Sequence, residues 1–201
     1  MARTDTLRHF LTDVANSIRN KKGTTNTIIA SNFDTEIDSI ETSVGKYAPR
    51  FISFRDYNKM DLDYEISNID TSNVTDMRSM FNGCSYLTSL DLSNFDTSNV
   101  VDMSSMFSKC SNLTSLDLSN FNTSNVTDMH YIFNGCSNLT YLDIRNFDFT
   151  KVISDSNMFN KVPSNCEIIV KDDTAKKWIF KRRSDFTNVK TVVEKEAEIV
   201  A

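Results

Sequence analysis

Cysteine, histidine and carboxylate side chains are the groups in this chain that could bind a metal, attack a carbonyl or move a proton. Their spacing decides which of these is open. Among 201 residues there are four cysteines and two histidines. Cys84, Cys110 and Cys136 stand 26 residues apart, no C-x-x-C pair occurs, and His9 and His130 lie in different parts of the chain. That is not the spacing of a zinc site, and the three cysteines read as small buried apolar residues at one repeated position. Carboxylates follow the same step: Glu65, Asp91, Asp117 and Asp143 are also 26 apart. Paired acids can cleave glycosidic bonds, but only across a cleft, and one repeating face offers none. G-x-S-x-G, P-loop and H-E-x-x-H patterns are missing from the sequence. The expectation is a protein that is not an enzyme, with no cofactor and no metal; a carbohydrate-active enzyme is a distant alternative.

The elements that must carry these residues come from the repeat itself. "LTSLDLSNFDTSNVVDMSSMFSKCSN" from Leu87 is followed by "LTSLDLSNFNTSNVTDMHYIFNGCSN" from Leu113, with partial copies on either side. A period in this range marks a solenoid, in which each repeat buries its apolar side only against its neighbours. Leu90 and Leu92 alternate with Ser89, Asp91 and Ser93, the pattern of a strand with one buried face. Val100, Met103, Met106, Phe107 and Cys110 recur at threes and fours, which predicts one short helix. Asn99 stands where it could cap it, Asp102 where its charge could favour the positive end, and Gly83 and Gly135 where it would end. Lys109 replaces that glycine, so the middle copy should end less regularly.

On this reading the leucines and the methionine ladder are core. Asn68, Asn94, Asn120 and Asn146, with Asn73, Asn99 and Asn125, tie backbone groups left open by the turns. The acids Glu65, Asp91, Asp117 and Asp143 fall on the solvent side of the strands, about 5 Å apart if the strands pair in register. Like charges stacked so closely destabilise a sheet unless hydroxyls, cations or a ligand offset them. Tyr141 and Arg145 interrupt the repetition at one end, where a ring could stack on a sugar and a guanidinium could pair with an anion. This face is the candidate ligand surface.

The run "LDLSNFDTSNVVDMSSMFSKCSNL" resembles the 26-residue repeat of BspA-like bacterial surface proteins, relatives of leucine-rich repeats. The resemblance covers about half the chain and implies an α/β leucine-rich-repeat-like solenoid with a parallel sheet, used for recognition. It names no ligand.

Four segments follow. Residues 1–43 carry two amphipathic stripes, Leu7, Phe10, Leu11, Val14 and Ile18, then Phe33, Ile37 and Ile40, and predict a helical attachment module. Its stretch "VANSIRNKKGTTNTIIASNFDTEIDSI" resembles a module of tail and baseplate proteins of phages of Gram-positive hosts. Residues 44–61 read as a linker and capping strand, and 62–170 as the repeats. Cys166 lies 30 after Cys136, so Pro163 and the residues after it read as an insertion. Residues 171–201 should form a C-terminal cap, a helix with Trp178 and Phe180, and a strand or loose tail from Thr191.

Charge narrows the partners. The chain carries −5 with a pI near 5.1, and the repeat block holds 13 acidic against 5 basic side chains. Nucleic acid is an unsuitable partner for such a surface. No apolar run reaches membrane-spanning length, and the first residues lack the apolar core of an export signal. The expected function is a structural or receptor-binding component of a phage virion, such as a tail, baseplate or fibre protein. It would join other virion proteins or copies of itself through the N-terminal module, form a homo-oligomer, and meet a glycan or protein on the host surface. The alternative is an adhesin on a bacterial cell surface.

Overall fold

A computed structural model of the chain describes Ile66 and residues 69–200. Four strands form one parallel sheet in the order β1 (Ser115–Asp117), β2 (Tyr141–Asp143), β3 (Glu167–Val170) and β4 (Val189–Thr191). Two helices follow the repeats, α1 (Asp173–Arg182) between β3 and β4, and α2 (Val192–Val200) after β4. The sheet register equals the sequence period: Leu116 lies opposite Leu142, and Leu142 opposite Ile168. The chain is therefore α/β. Leu90 and Leu92 are buried on the same alternation, yet their segment is not part of the sheet; a single backbone bond, Thr114 N–H to the Thr88 carbonyl at 3.0 Å, ties it to the next repeat.

Identical residues stacked at one spacing build the core. Phe81, Phe107, Phe133 and Phe159 form a column with ring centroids 5.5, 5.9 and 5.7 Å apart, and Phe95 lies over Phe121 at 6.4 Å. Leu90, Leu116 and Leu142 belong to the same buried cluster, with Phe95, Phe121 and Phe147. Each such side chain, fully buried, contributes roughly 1.5–3 kcal/mol.

The predicted short helix is not formed. Met80, Asn82 and Cys84 donate their N–H groups three residues back, to Met77, Ser79 and Phe81 at 3.3, 3.0 and 3.1 Å. The alternate residues Met77, Ser79, Phe81 and Gly83 donate across to Asp102, Ser104, Met106 and Ser108 of the next repeat, at 2.8–2.9 Å. An α-helix would turn every N–H inward along its own chain. Successive four-residue turns leave every second one free to join the neighbour, and they bring the same apolar residues to one side. Two turns per repeat need a left-handed residue at their third position. Ser79, Ser105 and Tyr131 take φ 57°, and Gly83, Lys109 and Gly135 take 80°, 62° and 81°. Lys109 thus adopts the glycine conformation and donates to the Asn134 carbonyl at 2.7 Å, so the middle copy is as regular as the others.

Asn99 and Asp102 cap nothing. Asn99 donates its amide to the Ser72 carbonyl of the preceding repeat at 2.8 Å, and Asn125 does the same to Ser98. Asn94 reaches the Ile66 carbonyl, and Asn120 the carbonyls of Leu92, Ser93 and Phe95. Asn94, Asn99, Asn120, Asn125 and Asn146 are cross-repeat ties, as their turn positions suggested, whereas Asn73 donates to the neighbouring Ser72 hydroxyl at 3.3 Å and Asn68 lies outside the described residues.

No insertion occurs near Pro163. Val162 takes the buried position 26 residues after Cys136, and the Gly135 N–H still meets the Asn160 carbonyl. Cys166 instead immediately precedes β3. The C-terminal cap is fuller than expected. Asp172 accepts the N–H groups of Thr174 and Ala175 and starts α1. Trp178 stacks on Phe149 at 3.9 Å, and the Arg182 guanidinium lies 3.3 Å from the Trp178 ring. Val192–Val200 is helical rather than loose: Thr191 and Glu194 accept each other's N–H groups, a capping box that opens α2.

Candidate functional site

Residues two apart on a strand share a face, and that rule assembles the candidate surface. Tyr141, Asp143 and Arg145 fall on one side of β2 and its exit. Asp143 pairs in register with Asp117 on one side and Ile169 on the other. Its carboxylate is not on the solvent side as expected, for Asp143 is only 1% exposed. Arg145 covers it, with Nε 3.0 Å from both oxygens and Nη2 2.5 Å from Oδ2, and the Tyr141 hydroxyl donates to Oδ2 at 3.1 Å. A charge taken out of water must be answered locally, and here one guanidinium and one phenol answer it. Burial, with the Asp143 carboxylate second, pushes the Tyr141 phenol up to about 12. The hydrogen bond to Asp143 holds the Arg145 guanidinium above its ordinary value. Arg145 is therefore occupied within the chain rather than open to an external anion.

The stacked like charges that the period implied are thus interrupted. Asp91 and Asp117 stay exposed, and each accepts the N–H two residues on, Ser93 at 3.0 Å and Ser119 at 2.9 Å. The Ser93 hydrogen bond holds Asp91 below the usual carboxylate range. Glu65 lies outside the described residues, as do the attachment residues Leu7 to Ile40. Beyond Tyr141 the face ends at Glu167, which pairs with Lys190 and Lys195. Lys195 and Glu198 belong to α2, and Glu198 also holds Lys190 at 2.6 Å. The helix packs on β3 and β4 and so bounds the face at one side. What remains open is a strip carrying Asp91, Ser115, Asp117 and the half-buried Tyr141 ring.

A second acid column runs along the turns. Asp76, Asp102 and Asp128 form successive parallel bridges, and each accepts the N–H two residues on, from Arg78, Ser104 and His130. Arg78 binds Asp76 at 2.5 Å and lies 3.7 Å from Asp102, while His130 Nδ1 is 2.6 Å from Asp128. The 26-residue recurrence of the Asp-Met pair was the available signal. Among the described residues no three His, Cys, Asp or Glu side chains converge on a point that could hold a metal.

All four cysteines are buried, and none forms a disulfide. Cys110 and Cys136 donate their thiols to the Phe81 and Phe107 carbonyls of the preceding repeat, both at 3.1 Å. Burial pushes the Cys136 and Cys166 thiols up to about 12, which removes the thiolate needed for nucleophilic or metal chemistry. No helix among the described residues is long and apolar enough to cross a membrane.

The family model described as Mycoplasma protein of unknown function, DUF285, matches residues 50–171. The chain belongs to the DUF285 family. The matched span includes the strip and both acid columns, and ends at the residue after β3. No curated protein and no solved structure matches this DUF285 chain.

Proposed function

We propose that the DUF285 repeats form a BspA-like solenoid that acts, without catalysis, as a recognition surface. The observation that carries this is the strip beside β1 and β2. Its side chains are regularly spaced, lie off the core, and are left uncovered while α2 bounds the face at one side. Exposed Asp117 and Ser115 beside the flat Tyr141 ring suit the hydroxyls and ring face of a sugar, and equally a polar protein loop. We place the chain in a phage particle, as a tail, baseplate or fibre component that contacts the host surface. The resemblance of residues 1–43 to phage tail and baseplate modules supports this placement, with those residues joining virion proteins or other copies of the chain. The second reading, an adhesin on a bacterial cell, is supported by the family, whose members are BspA-like surface repeat proteins.

Fractionating a producing culture separates the two placements. Antibody detection of the chain in density-banded particles is the outcome expected for a virion component; detection only in the cell-envelope fraction would select the adhesin. Host-cell binding by purified protein then tests the strip. Asp91→Asn with Asp117→Asn, and separately Tyr141→Ala, should weaken binding while the fold is kept. Unchanged binding by both would move recognition to the turn side, around Arg78, Lys109 and His130.

A further inference from the structure

The C-terminal cap closes the strands and leaves the turns open. β4 pairs with β3, so the sheet continues past the last repeat. The turn column has no such successor. Met129, Tyr131, Phe133 and Gly135 donate their N–H groups to Ser154, Ser156, Met158 and Asn160. Their equivalents in the last repeat are Asp155, Asn157, Phe159 and Lys161. The backbone there keeps the same shape: Met158, Asn160 and Val162 close their turns, and Asn157 and Lys161 take φ 54° and 64°. Yet the N–H groups of Asp155, Asn157, Phe159 and Lys161 have no hydrogen-bond partner among the described residues.

These residues line a cleft of about 510 Å³, with Arg182 and Arg183 as its other wall. Arg182 is held by Asp155 at 2.5 Å, and Arg183 by Asp185 and by the carbonyls of Phe159 and Val162. The Lys161 ammonium has no ion pair among the described residues. The cleft therefore combines unpaired backbone donors in a turn conformation, the exposed Lys161 at its lining, and two guanidinium groups fixed in place, one of them by the Asp155 carboxylate. Concave rows of turn N–H groups bind anions through their aligned dipoles. A neutral carbonyl would satisfy the donors and leave the charge of Lys161 unanswered.

We propose that this cleft binds a phosphate or sulfate group. The free ion and the same group esterified on a polymer share this chemistry, and the experiment separates them. Amide resonances of the full chain are followed during titration with sodium phosphate at constant ionic strength, and in a second arm with dextran sulfate. Saturable shifts of the Asn157, Phe159 and Lys161 amides are expected. Lys161→Gly should raise the dissociation constant about three- to fivefold, as loss of one exposed charge partner does. Lys109→Gly, the same change at the equivalent position two repeats earlier, should leave it unaltered. Tighter binding per group in the polymer arm identifies an esterified ligand; equal binding identifies the free ion. The proposal is overturned if neither probe gives saturable shifts, or if Lys161→Gly binds phosphate like the unaltered chain. Shifts that follow protein concentration instead of phosphate would also overturn it, and would make a second copy the occupant. None of these outcomes depends on the strip at Tyr141.

Discussion

Thr97 holds Asn122 of the next repeat with both of its hydroxyl functions: Oγ1 donates to the Asn122 carbonyl at 3.1 Å and accepts the Asn122 N–H at 2.8 Å. Thr71 holds Asp96 and Thr123 holds Asp148 in the same way, and the three threonines are 2%, 1% and 0% exposed. A buried hydroxyl that uses donor and acceptor at once leaves nothing unsatisfied. Thr97→Val keeps the shape and removes both bonds, stranding a carbonyl and an N–H. It should cost about 2–4 kcal/mol in urea unfolding, and Thr97→Ser much less. A loss for serine as large as that for valine would show that the buried methyl matters as much as the two hydrogen bonds.

Those threonines show what the sequence could and could not convey. In "DTSNV" four polar residues stand together, and period alone does not say which one turns inward. The leucine, phenylalanine and cysteine columns were legible because only burial explains an apolar residue at every twenty-sixth position. Helix and successive turns were not separable, since both return side chains to one face at steps of three and four. Asp143 and Arg145 stand two apart, the spacing of one strand face, but the 26-residue recurrence of the acids grouped Asp143 with Asp91 and Asp117 instead. The start of α2 was written in Thr191-x-x-Glu194, the capping-box spacing.

Leu116 is fully buried at the middle of the leucine column. Leu116→Ala should cost roughly 2–5 kcal/mol, because neighbours fixed by hydrogen bonds on both sides cannot collapse into the space. A change below about 1 kcal/mol in the denaturation midpoint analysis would mean that the column is not close-packed.

Lys109 and Gly135 form a natural pair for a test of the turn backbone. Both are left-handed, and a Cβ built on Gly135 would sit 3.4 Å from the Lys109 Cα and N. Lys109→Gly should raise stability by about 0.5–1 kcal/mol, since the strain relieved exceeds the added chain entropy. Gly135→Ala should lower it by about 1–2 kcal/mol. Thermal unfolding of the two variants decides; shifts of the same sign would contradict the turn assignment.

Tyr141 makes the alkaline limit of the fold testable. An ordinary tyrosine ionises near 10. Burial and the Asp143 carboxylate push Tyr141 up to about 12, so the folded chain keeps this proton over a range in which the unfolded chain loses it. The stabilisation is complete below pH 10 and is lost as pH rises through 12. Tyr141→Phe should therefore unfold less steeply with pH across that interval. The thiols of Cys136 and Cys166 act in the same direction from about pH 9, so the comparison is of slopes between variant and unaltered chain rather than of midpoints. Absorbance at the tyrosinate band supplies a direct reading, in which Tyr141 titrates late and the late component is missing from Tyr141→Phe. In Asp143→Asn that late titration should move down toward 10 without reaching it, because burial is the larger cause and survives the substitution. A Tyr141 that ionises near 10 in the native chain would show the ring to be open to water, and the hydrogen bond to Asp143 to be absent in solution.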